Sequence, residues 1–180
     1  MRPVLLVLLP LAAPPALAGG LAPPVGDLRA DLDGNGQPET FALREGEDGA
    51  VDLVVMTEGR TRVAPGIAWS GGLAGQEPDL AVSLGNSLLL SSRNEAAGRD
   101  RWTQTLDIVP RDGEWWVAGL TYEWRDTLDP AAGGTCDFDL LAGSGTVTTA
   151  EGEREIAAPM PATPVWDWRA EDMVLPEQCY

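Results

Sequence analysis

Short apolar–polar alternations, broken by glycine, asparagine and aspartate, run through most of the chain. Phe41 and Leu43 alternate with polar or small neighbours. Val51, Leu53 and Val55 resume the pattern after the turn at Gly46-Glu47-Asp48-Gly49, and Leu80, Val82 and Leu84 repeat it before Gly85-Asn86. The two-residue period and frequent turn signals predict strands, with no competing helical period. The fold expected is all-β, an antiparallel meander or sandwich of about nine short strands. Residues 65–78 and 92–100 read as loops. From Ala157 the chain is proline-rich and irregular, and it is expected to lie as a cover over the sheet.

The strongest local signal is the hairpin around Arg111-Asp112-Gly113. A three-residue loop ending in glycine would close Pro110 against Glu114. That register sets Ile108 opposite Trp116, Leu106 opposite Ala118, Gln104 opposite Leu120 and Trp102 opposite Tyr122, all on one side. The other side pairs Asp107 with Val117, Thr105 with Gly119, Thr103 with Thr121, and Arg101 with Glu123. A slip of one residue would turn one strand's apolar set outward. The expectation is a core containing Trp102, Trp116 and Trp124, with Trp115 facing out.

The first 18 residues have the form of a signal peptide: Arg2, an apolar run from Val4 to Ala13, and a small-x-small site at Ala16-Leu17-Ala18. The run is too short for a bilayer, which needs about 20 residues. Gly19 in place of cysteine argues against a lipid anchor. Residues 19–180 then form one domain, periplasmic or secreted.

Charge narrows the partners. Twelve basic residues face 28 acidic ones, for a net −16, and all of the basic ones are arginine. Such a surface repels phosphate backbones and anionic lipids, so nucleic acid and membrane insertion are both disfavoured. A protein or glycan partner is what remains. Cys136 and Cys179, the two cysteines, read as a disulfide in an exported chain, stapling the irregular tail.

One loop carries metal chemistry. Asp31-Leu32-Asp33-Gly34-Asn35-Gly36-Gln37-Pro38-Glu39 places side-chain oxygens at positions 1, 3, 5 and 9, with glycines that let the backbone curl. Asp31, Asp33, Asn35 and Glu39, with the Gln37 carbonyl, form a donor set for a hard cation, Ca2+. The same residues also favour a hydrated turn with no metal. The loop resembles the calcium loops of FG-GAP/VCBS repeats, whose pattern is D-x-D-x-D-G-x-x-D. Asp31, Asp33, Asn35 and Glu39 fall on its ligand positions and Gly36 on its glycine, over roughly 20 residues of resemblance. Asn35 and Glu39 depart from the pattern but keep oxygen. An EF-hand fits less well, since its twelfth position would be Ala42. Trp102, the Arg111–Gly113 turn, Gly119 and the stretch from Cys136 to Gly143 also resemble a group of secreted bacterial proteins, a likeness that carries no activity.

Catalytic signatures are scarce. The sequence has no histidine, which removes serine and cysteine triads and ordinary zinc sites. The lack of lysine removes a phosphate-binding P-loop, and with so many acids no carboxylate pair stands out for glycoside hydrolysis. The expected role is a non-catalytic binding domain with a structural Ca2+. The alternative is a carbohydrate-binding module with Trp115, Trp166 and Trp168 as its platform, and a carboxylate-based hydrolase is the more distant one. Tryptophans more often fill cores, however.

Overall fold

The computed structural model describes residues 26–46 and 48–180; the leader expected at 1–18 lies outside the described residues. Two antiparallel sheets hold the chain, and among the described residues there is no α-helix. The first sheet is a meander of β1 (Gly26–Ala30), β2 (Glu39–Glu45), β3 (Ala50–Thr57) and β4 (Arg60–Trp69). The second begins with β5 (Asp79–Val82), β6 (Leu88–Asn94), β7 (Asp100–Arg111) and β8 (Glu114–Asp126). It continues through β9 (Gly134–Asp139), β10 (Ser144–Thr149) and β11 (Gly152–Ala157), in the order β11-β10-β9-β8-β7-β6-β5. A twelfth short strand, β12 (Thr163–Pro164), pairs with β8 at Val117 and Trp116.

Among the described residues there are twelve strands against about nine expected, and the segments read as loops carry strand at their margins. β4 runs through Pro65 and Gly66 to Trp69, and β6 continues to Asn94. Pro65 is tolerated because β4 is the edge of its sheet and the register with β3 slips there, between the Val51–Ala68 and Leu53–Ala64 pairs. Gly66, at φ 60°, donates its N–H to Asp52 Oδ1 at 2.8 Å inside that irregularity.

The sheets share one core. Alternate residues of β2, β3, β6, β7 and β8 point into it: Phe41, Leu43, Leu53, Leu90, Leu106 and Leu120 are all buried. Phe41 of β2 meets Trp115 of β8 edge to face, with ring centroids 5.1 Å apart, joining the two layers. β1 lies beside β5 and β4 beside β6, where Trp69 N–H donates to Ser92 Oγ at 3.1 Å.

The C-terminal segment covers the far half of the larger sheet. Val165 N–H bonds the Trp115 carbonyl, Ala162 N–H bonds the Leu140 carbonyl, and Val165, Trp168 and Leu175 are buried. Cys136 and Cys179 form the disulfide, with Cα atoms 5.8 Å apart. Among the described residues no helix is long and apolar enough to cross a membrane.

The β7–β8 hairpin departs from the expected register. The turn has two residues, not three: Asp112 (φ 54°) and Gly113 (φ 77°) both take the left-handed conformation, as an Asp-Gly type I′ turn requires, so Arg111 pairs with Glu114. Pro110 therefore faces Trp115, and Ile108 faces Val117. A bulge at Ala118 then shifts the register again, so Leu106 faces Leu120, Thr105 faces Thr121, and Trp102 faces Trp124. The expected Arg101–Glu123 pairing is replaced by Arg101 opposite Arg125.

Candidate functional site

The 31–39 loop links β1 to β2, and those strands hold its two ends together: Ala30 pairs with Glu39. Inside it, Gly36 N–H donates to Asp31 Oδ2 at 2.9 Å, and Asn35 N–H donates to Asp33 Oδ1 at 3.0 Å. Gly34 and Gly36, at φ 73° and 85°, make the curl that no side-chain-bearing residue would take easily. Asp31, Asp33 and Glu39 are brought together, each offering a carboxylate oxygen within 4.8 Å of the others. Oxygens sharing one Ca2+ at about 2.3–2.6 Å each can stand at most about 5 Å apart, so the spacing fits.

The electrostatics of the cluster favour a cation. Glu39 is 1% exposed, and its Oε2 accepts one hydrogen bond, from Leu32 N–H at 3.0 Å. Among the described residues no arginine pairs with it. Asp31 Oδ1 is buried and accepts no hydrogen bond. A buried carboxylate oxygen without a partner costs about 1–3 kcal/mol or more, and carboxylates at close quarters repel one another. A divalent ion offsets both penalties. Asn35 is less committed to that role: its Oδ1 accepts from Gln37 N–H at 2.7 Å and its Nδ2 donates to Asp33 Oδ2 at 2.9 Å, bonds it would exchange on ligating. Among the described residues no backbone hydrogen bond fixes the direction of the Gln37 carbonyl.

One participant was not legible in the sequence. Asn86, at φ 63° in the β5–β6 turn, directs its Nδ2 at the carbonyls of Asp31 and Leu32, 3.4 Å from each. It links the loop to a turn more than 50 residues away. The Gly85-Asn86 pair marks a turn, but nothing local says what that turn touches.

The proposed tryptophan platform does not survive the fold. Trp115 is 7% exposed and packs on Phe41, because the two-residue turn points it inward and sends Trp116 to the opposite side. Trp168 is 1% exposed under the C-terminal cover. Trp166 is half-buried, but its ring is overlain by the Arg62 guanidinium at 3.8 Å, and its N–H is bonded to Glu114 Oε2 at 2.6 Å. None of the three presents a free ring face. No protein-family model, curated protein or solved structure matches the chain, so its function has to be argued from these residues alone.

Proposed function

We propose that the chain is an exported, non-catalytic binding domain whose first loop holds one structural Ca2+. The observation that carries the calcium reading is Glu39: a carboxylate sealed from solvent, unpaired with any base among the described residues, and within 4.8 Å of two further carboxylates. Asp31, Asp33 and Glu39 would supply the charge, with Asn35 and the Gln37 carbonyl completing the shell. The ion would fix the β1–β2 connection rather than take part in chemistry. The likeness to FG-GAP/VCBS loops supports the same assignment. The absence of histidine and the scatter of the acids favour binding over catalysis. The Cys136–Cys179 bridge agrees with an oxidising compartment, periplasmic or extracellular.

Thermal melting tests it. Millimolar Ca2+ added to chelator-treated protein should raise the melting temperature by several degrees, with Mg2+ doing less. Binding to the folded form alone stabilises by about 1.4 kcal/mol at tenfold excess over Kd. Asp33→Ala should abolish the response. Identical melting of wild type and Asp33→Ala, with and without Ca2+, would reduce the loop to a turn.

A further inference from the structure

At the end of the β7–β8 hairpin away from its turn, on the order of 30 Å along the strands at about 3.3 Å per residue, lies a groove of about 630 Å3. Its floor is aromatic. Tyr122 sits between Trp102 and Trp124 with ring centroids 6.2 Å from each, and the planes differ by only 24° and 21°. Trp69 prolongs the row, 5.5 Å from Trp102, towards a second cavity of about 390 Å3 that both rings line. Trp124 lies against the backbone of Gly134 on β9: a Cβ at Gly134 would come within 2.6 Å of the indole Cζ2. The glycine therefore fixes the indole in place as part of the floor.

Polar groups surround this floor. Arg101, Arg125 and Arg154 line the groove, in a chain that is otherwise strongly acidic. Arg125 is held by Glu95 and, like Arg101 opposite it, starts from the side of the hairpin away from Trp102, whereas Arg154, in register through Val147 and Cys136 with Tyr122, shares the aromatic side and has no ion-pair partner among the described residues. Asp126, on the same groove, is neutralised by Arg99 at 2.5 Å, which leaves Asp100 and Glu151 as free acceptors. The Cys136–Cys179 bridge sets the last wall, because it anchors the residues on either side, Gln178 and Tyr180, at the rim, and Cys136 lies opposite Tyr122. Burial, reinforced by Tyr180 and Asp100, pushes the Tyr122 phenol up to about 12, so its hydroxyl remains a donor at neutral pH.

We propose that this groove binds an oligosaccharide, sugar faces laid on the Trp102–Tyr122–Trp124 row and a hydroxyl or uronate oxygen accepting from Arg154. The inference rests on the binding-domain reading and names its ligand class. A pyranose has an apolar C–H face and an equator of hydroxyls that both donate and accept. The groove offers both kinds of surface, with aromatic rings on the floor and guanidinium donors and carboxylate acceptors on the walls. A polyproline peptide also docks on aromatics, but it offers carbonyl acceptors and few donors, leaving Asp100 and Glu151 unanswered.

The test is calorimetric titration of the Ca2+-loaded, oxidised chain, with tryptophan emission followed in parallel. Probes are neutral gluco- and xylo-oligosaccharides, chito-oligosaccharides, oligogalacturonates and a proline-rich peptide. Saturable binding of at least one saccharide, with a change in emission, is expected. Trp124→Ala should weaken it about tenfold, the scale on which one ring contact acts, and Trp166→Ala should leave it unchanged. If Trp124→Ala does not fold, Arg154→Gln, which keeps most of the side-chain stem, serves instead. A loss confined to oligogalacturonate identifies a carboxylate on Arg154, and a loss across neutral sugars identifies a hydroxyl. The inference is overturned by no saccharide binding, by peptide binding alone, or by saccharide binding that both groove variants leave intact. A chain that melts higher with Ca2+ yet binds no saccharide keeps the calcium reading and loses only this one.

Discussion

Trp166 donates its indole N–H to Glu114 Oε2 at 2.6 Å, tying the C-terminal cover to the β7–β8 turn. Arg62 of β4 completes the arrangement, since its guanidinium lies over the same indole and pairs with the same carboxylate at 2.6 Å. Three separate parts of the chain thus meet at one partly exposed carboxylate. The Trp166 hydrogen bond, and then Arg62, hold Glu114 below the ordinary carboxyl value of 4.5.

The pH dependence follows from that direction. A carboxyl whose folded pKa is depressed adds stability above its unfolded pKa and loses it as pH falls through the folded one. Wild type should melt above Glu114→Gln at pH 7, by about 1 kcal/mol or less, the range for exposed pairs. The difference should shrink as pH is lowered below about 4.5 and vanish at the acid end. Parallel melts of the two proteins from pH 7 to pH 3 measure it. A difference that grows on acidification would contradict the assignment.

Trp168 makes a sharper stability prediction. It is 1% exposed beneath the tail, and its Nε1 is buried without an acceptor. Trp168→Ala should destabilise by about 3–5 kcal/mol, as other large buried truncations do. Trp168→Phe should cost less than its lost volume implies, because it also removes an unsatisfied donor. Denaturant unfolding of both variants decides this.

The disulfide spans a sequence separation of 43 residues. Closing a loop of that size is worth about 4 kcal/mol in the chain-entropy model, so Cys136→Ser should lower the unfolding midpoint substantially. Intact mass without reductant should show the oxidised chain two hydrogens lighter than the dithiol form. Alkylation of both cysteines in the untreated native protein would refute the bridge in solution.

The sequence disclosed strands more readily than their pairing. Period-two alternation is a local property, and Phe41, Leu43, Leu53, Leu106 and Ile108 all lie in the core as that alternation implies. Register is not local in the same way. Reading Arg111-Asp112-Gly113 as a three-residue loop moved every pair near the turn by one, and the Ala118 bulge is invisible without a partner strand. The error had a definite consequence, exchanging the sides of Trp115 and Trp116. Beyond the bulge the expected inward set, Leu120, Tyr122 and Trp102, is the one found, though the two aromatics line a groove instead of being sealed. The acidic loop was legible because Asp31, Asp33 and Glu39 lie within nine residues. The burial of Glu39 and the contact from Asn86 depend on tertiary packing, and no spacing rule carries them.

Glu39 offers the most discriminating experiment on the loop. Its carboxyl group is buried and unpaired with any base among the described residues, while Asp33 in the same cluster is exposed. Removing the Glu39 charge should therefore help the metal-free protein, since an uncompensated buried charge is destabilising. Glu39→Gln retains an oxygen for the 3.0 Å bond from Leu32 N–H, so the fold should persist. In chelator the variant should melt above wild type. In millimolar Ca2+ the order should reverse, because wild type gains binding energy that the neutral amide cannot match. Asp33→Ala should also lose the Ca2+ response, but with a smaller gain in chelator, as an exposed charge is already solvated. If Glu39→Gln is the less stable protein in both buffers, the buried carboxylate is held by its own surroundings and not by a cation.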